Sequence, residues 1–175
     1  DGTSGDAAYR GAVEYSHTND RLAFRTAGTG NRMVIDSSGN VGIGTSSPGD
    51  FDSEANNLVV GNGSGDNGIT IFTGSSAGDF GSIFFADSSS GGAAKKGQIR
   101  YEQNNEVMSF YTNESERLRI DLNGKVGIGS TAPGHNLEVK GSFPDFAIVD
   151  SDTTNDKFRI LHNGGATQLQ VDPNN

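Results

Sequence analysis

Apolar and polar positions alternate in short runs along most of this chain, with the period of two that marks half-buried strands. Such runs occur at Ala12-Val13-Glu14-Tyr15, residues 32–36, Ile69-Thr70-Ile71-Phe72, Ser82-Ile83-Phe84-Phe85 and Leu137-Glu138-Val139, with short unbroken apolar runs at Leu22-Ala23-Phe24, Leu58-Val59-Val60 and residues 146–149. Stretches rich in Gly, Ser, Asn and Asp separate them, at 17–20, 26–31, 49–57, 61–68 and 88–94. These are turn formers, so the first two runs along the chain read as a hairpin. Helical spacing is nearly absent. The best window, 113–120, aligns with 28–35, where Gly and Asn stand, so strand is the reading that fits both. The pattern predicts an all-β chain.

One unit organises the rest and occurs twice. Residues 32–49 and 117–134 match at a constant offset, with ten of eighteen positions identical. Each copy reads as a strand ending in Ile-Asp, a tight turn with Gly39 or Gly124, the strand Val-Gly-Ile-Gly, and a stop at Pro48 or Pro133. In Val-Gly-Ile-Gly the apolar side chains fall on one face and bare glycine on the other. Glycine weakens a lone strand, so paired glycines predict that another backbone approaches closely there.

The repetition extends further. Residues 97–113 match 11–27, keeping Gly97, Tyr101, Asn105, Phe110 and Thr112, and Leu137-Glu138-Val139 parallels Leu58-Val59-Val60. A third copy opens at Thr154-Asn155-Asp156-Lys157-Phe158, the counterpart of Thr18-Asn19-Asp20-Arg21-Leu22, with Gly164 on Gly28 and Val171-Asp172 on Ile35-Asp36. The expected segments are therefore 1–57, a first β repeat; 58–96, a glycine- and serine-rich β insert; 97–141, a second repeat; and 142–175, a third that breaks off, as in a piece of a longer repetitive protein.

Composition sharpens this picture. Leu, Ile, Val and Phe total 37 of 175 residues, close to the floor of about 20% for folded chains. A chain so poor in core material is expected to share a core with copies of itself. The net charge of −9 argues against binding a nucleic-acid backbone or an anionic membrane surface. No apolar run reaches the length of about 18 residues that a spanning helix needs, and no membrane insertion is expected.

Candidate chemistry is sparse. Residues 63–68 fit G-x-G-x-x-G, but the dinucleotide fingerprint requires a helix next, and Ile69-Thr70-Ile71-Phe72 is a β pattern. His17, His135 and His162 stand in separate stretches without ligand spacing, His17 and His162 both in turns of the repeat. Asp50, Asp52 and Glu54 form an acidic loop able at most to hold calcium loosely. No pair of carboxylates is marked out for catalysis, so neither an enzyme nor a cofactor is expected. Tyr15, Phe24, Tyr101 and Phe110 recur at matching positions, which points to packing. Phe84 and Phe85 must face opposite ways in a strand, leaving one at an interface or in solvent, where an aromatic ring can stack on sugars.

The pattern Arg-x-x-Ile-Asp-x-x-Gly-x-Val-Gly-Ile-Gly-x-x-x-Pro, followed by Leu-x-Val, resembles the repeat of bacteriophage tail fibre and tail spike proteins, common upstream of a self-cleaving chaperone domain. The resemblance covers residues from about 11 to 171. It implies short strands and hairpins in an elongated, intertwined, parallel homotrimeric fibre on the virion tail, serving host attachment. Implied partners are the chain itself, other tail or baseplate proteins, and a host surface polysaccharide or outer-membrane receptor. No catalytic residues transfer. A shared axis would take Val41, Gly42 and Ile43 with Val126, Gly127 and Ile128 as interface residues, leaving the receptor-binding residues unassigned. The alternatives are a non-viral extracellular trimeric stalk or adhesin, and the shaft of a polysaccharide-degrading tail spike.

Overall fold

The computed structural model describes residues 10–27, 30–149, 157–163 and 166–172. The chain divides into two compact units, Asp1–Thr70 and Ile71–Asn175. The first unit carries a five-stranded sheet in chain order: β1 Gly11–Ser16, β2 Arg21–Thr26, β3 Asn31–Ile35, β4 Val41–Ile43 and β5 Leu58–Val60. Strands β1 to β4 form an antiparallel meander, and β5 lies parallel to β4. The second unit repeats this plan with one strand more. Its sheet runs β6 Phe80–Phe85, β7 Gly97–Glu102, β8 Val107–Thr112, β9 Ser115–Ile120, β10 Val126–Ile128 and β11 Leu137–Val139. A third, three-stranded sheet is formed by β12 Asp145–Val149, β13 Lys157–Asn163 and β14 Ala166–Asp172.

The all-β reading therefore holds, and the three copies share a register. Leu22 pairs with Ile35 between β2 and β3; the same partners recur as Met108 with Ile120 and as Phe158 with Val171. Even the irregularity is repeated: the register slips after Phe24 in the first copy and after Phe110 in the second. Residues 115–120, the one window with helical character, form β9.

Each turn before Val-Gly-Ile is built alike. One Asp36 carboxylate oxygen accepts the backbone N–H groups of Ser38 and Asn40, both at 2.9 Å, while Gly39 donates to the Asp36 carbonyl at 3.0 Å. Asp121 does the same for Asn123, Lys125 and Gly124. The third turn residue sits at positive φ, 86° in Gly39 and 76° in Gly124, which is why glycine recurs there.

Two expectations need correction. Ile69-Thr70-Ile71-Phe72 is not a strand: it finds no ladder partner, and Phe72 is 96% exposed. The glycine-rich stretch 63–68 is followed by no helix, in line with its reading as a turn. His162 lies within β13, opposite Thr167, and not in a turn. The insert 58–96 is shared out: Leu58–Val60 completes the first sheet and Phe80–Phe85 opens the second. Residues 154–156 and Gly164, used to recognise the third copy, lie outside the described residues.

Candidate subunit interface

Strand alternation gives each sheet two faces of different character. On one face of the first sheet, the register lines up Val13, Phe24, Met33, Ile43 and Val60 in one row and Tyr15, Leu22, Ile35, Val41 and Leu58 in the next. All ten are apolar or aromatic, yet none is buried; Val13 is 69% and Ile43 44% exposed. The second sheet sets Ile99, Phe110, Leu118, Ile128 and Val139 beside Tyr101, Met108, Ile120, Val126 and Leu137 on the equivalent face. Again all ten are apolar or aromatic and none is buried; Ile128 is 42% exposed. The third sheet has Phe158, Ile160, Leu169 and Val171 at the matching positions.

The opposite face is covered by the chain itself. In the first copy it carries Ala23, Val34 and Gly42, all buried, and the loop after Ile43 folds over them with Pro48 fully enclosed. A Cβ on Gly42 would stand 2.6 Å from the Thr45 carbonyl oxygen and 3.1 Å from Val34. On Gly127 it would collide with the Ser130 carbonyl, and on Gly129 with that of Lys140. The close backbone approach expected at the glycines is therefore present, and it comes from the chain's own loops. Gly42 and Gly127 are buried under those loops, while Val41, Ile43, Val126 and Ile128 belong to the open face.

The two faces have diverged differently between copies. On the covered face Ala23, Val34 and Val59 are replaced by Ser109, Arg119 and Glu138. That face turns polar, and its groups find partners: Ser130 donates its hydroxyl to Glu138 at 2.6 Å, and Arg119 holds Glu116 through two bonds of 2.7 and 2.9 Å. On the open face seven of the ten positions are identical, and the three that differ, Val13 against Ile99, Leu22 against Met108 and Met33 against Leu118, stay apolar. A face bathed in water is under no packing constraint and drifts to polar residues; this one has not.

Two carboxylates along these loops are held in the charged form. Burial opposes ionisation of Asp36, but the hydrogen bonds from Asn40, Ser38 and Gly39 outweigh it and keep its carboxyl below the usual range. The Ser130 hydroxyl and the Gly134 N–H lower Glu138 in the same way. Asp50, Asp52 and Glu54 do not converge; Asp52 instead accepts the Glu54 N–H at 2.9 Å. His17 lies in the β1–β2 turn, its ring edge-on to Tyr15 with centroids 4.9 Å apart. Phe84 and Phe85 are both exposed, on opposite faces of β6. No helix among the described residues is long and apolar enough to cross a membrane.

The open face was half-legible in the sequence: Val41, Ile43, Val126 and Ile128 are marked by the repeat, whereas the other members emerge only once register joins the strands. No protein-family model matches the chain, and no curated protein matches it significantly.

Proposed function

We propose that this chain is a structural, non-catalytic segment of a bacteriophage tail fibre, carried on the virion tail as a parallel homotrimer and used in host-cell attachment. The observation that carries the reading is the open sheet face, apolar at all ten aligned positions in both full copies while the covered face changes to Ser, Arg and Glu. Copies of the same chain are the occupant this favours. A repeated face can meet the same face on another copy of the chain, so one kind of contact serves each unit. Covering the side chains that are now 40–70% exposed contributes on the order of 1 kcal/mol each, multiplied over the rows. The scarcity of private core has the same explanation.

In this arrangement Val41, Ile43, Val126 and Ile128 lie at subunit contacts, and Gly42 and Gly127 let the loops on the covered face pack closely against it. The fibre joins other tail or baseplate proteins and presents its outer loops to a host polysaccharide or outer-membrane receptor. Gold-labelled antibodies against the segment, applied to virions from a culture producing the protein, test the viral assignment by electron microscopy. Label along tail fibres is expected. Virions without label, with label on the bacterial surface instead, would overturn it in favour of a cellular stalk.

A further inference from the structure

The second sheet begins with a strand that precedes the repeat. Strand β6, contributed by the insert, extends the sheet beyond β7, and its Phe80, Ser82 and Phe84 point to the face away from the open apolar rows. With Ile71, Gly78 and Arg100 they line an open groove of about 460 Å³. Volumes of a few hundred Å³ suit one ring of a bound ligand, and mostly apolar walls with a few aimed polar groups are the usual composition of such sites.

Arg100 is the polar group. Its guanidinium carbon sits 3.7 Å from the centre of the Phe80 ring and 5.2 Å from that of Tyr111, so the fork is held in place by two aromatic faces. The other two arginines of this sheet have acceptors: Arg119 holds Glu116 and Arg117 donates to Thr112. Arg100 has neither an ion pair nor a side-chain hydrogen bond among the described residues. A pre-oriented guanidinium with unused donors in an apolar groove is suited to a carboxylate, which it can bind through two parallel bonds. In the first copy the position of Arg100 is taken by Glu14, which is paired with Arg25 at 2.7 Å. The charge is reversed there.

We infer that the groove between Ile71, Phe80, Phe84 and Arg100 binds a carboxylate-bearing sugar unit, the acid seated on Arg100 and the ring against the phenylalanines. The apolar C–H face of a pyranose suits Phe84, and Ser82 supplies a hydroxyl for the ring's own. An insert between copies of a repeat scaffold is where binding surfaces are commonly added, because the scaffold tolerates it. The groove faces away from the rows assigned to subunit contact, so both surfaces are usable at once. The choice of a sugar as ligand rests on the host-attachment reading; the groove and its free arginine do not.

The test is saturation-transfer difference NMR on the full chain with the methyl glycosides of glucuronic acid, galacturonic acid and N-acetylneuraminic acid, and with methyl glucoside as the neutral control. A saturable signal from at least one acidic glycoside and none from methyl glucoside is expected. Arg100→Gln should weaken it about tenfold, as expected for a lost charge-assisted pair. Phe84→Ala should weaken it as well, with circular dichroism and solution mass unchanged in both variants. Silence from all three acids, an equal signal from methyl glucoside, undiminished binding by Arg100→Gln, or equal displacement by acetate would each overturn the assignment. The two readings separate cleanly. A trimer that ignores acidic sugars removes the groove's role and leaves the fibre standing, whereas a monomer that binds them does the reverse.

Discussion

Gly42 and Gly39 are both glycines beside the same strand, and they are glycine for different reasons. Gly39 has open space around it but a φ of 86°, so a side chain there strains the backbone alone. Gly42 has an ordinary backbone but the Thr45 carbonyl 2.6 Å from where a Cβ would sit. Gly42→Val and Gly127→Val should therefore lower stability by roughly 1–3 kcal/mol or more through overpacking, against small effects for Ser38→Ala and Asn123→Ala. Thermal melts of the four variants check this, and equal shifts would mean that the loops do not press on the glycines. The Asp36 and Glu138 carboxyls predict a pH dependence. Their pKa values are depressed on folding, so the stability they add is present above their unfolded values near 4 and is lost as pH falls through the folded ones. Melting temperature should drop on acidification below about pH 4. Glu138→Gln, which removes one of the titrating groups, should make that drop shallower.

At the scale of strands, much was readable from sequence because period-two alternation and Asp-x-x-Gly turns are local signals. The hairpin of β1 and β2, the two Val-Gly-Ile strands and the Leu-x-Val strands stand where the pattern put them. Ile69–Phe72 has the same alternation and is not a strand, because alternation states a preference while a ladder needs a partner. The covered face was illegible for a related reason. That Thr45 folds back over Gly42, or Ser130 over Gly127, depends on the path of a loop, and nothing in Val-Gly-Ile-Gly tells its own loop from another subunit's backbone. The groove at Arg100 needed the register of β6 against β7 before Ser82 and Arg100 became neighbours. An element-level prediction follows for the open face. Ile43→Asp and Ile128→Asp put charges into the rows without touching the covered side, so the isolated sheets should keep their strand signal by circular dichroism while subunits separate in sedimentation velocity. Loss of the strand signal together with assembly would instead assign these side chains to the fold of the single chain.

For the whole molecule, the scarcity of apolar residues and the openness of the apolar face are one fact seen twice. Among the described residues the buried apolar side chains are few, Ala23, Val34 and Val107 with Pro48 and Pro133, while large ones such as Val13, Phe85 and Leu137 stand in solvent. A single chain with that distribution leaves unburied most of the apolar surface it could bury, and association is the remedy its geometry offers. The decisive measurement is the mass of the chain by multi-angle light scattering over a range of concentrations, with circular dichroism on the same samples. A folded species holding at three times 18.3 kDa throughout is the expected result. A folded species at 18.3 kDa at every concentration would contradict it, since the open face would then be stable in water without a partner.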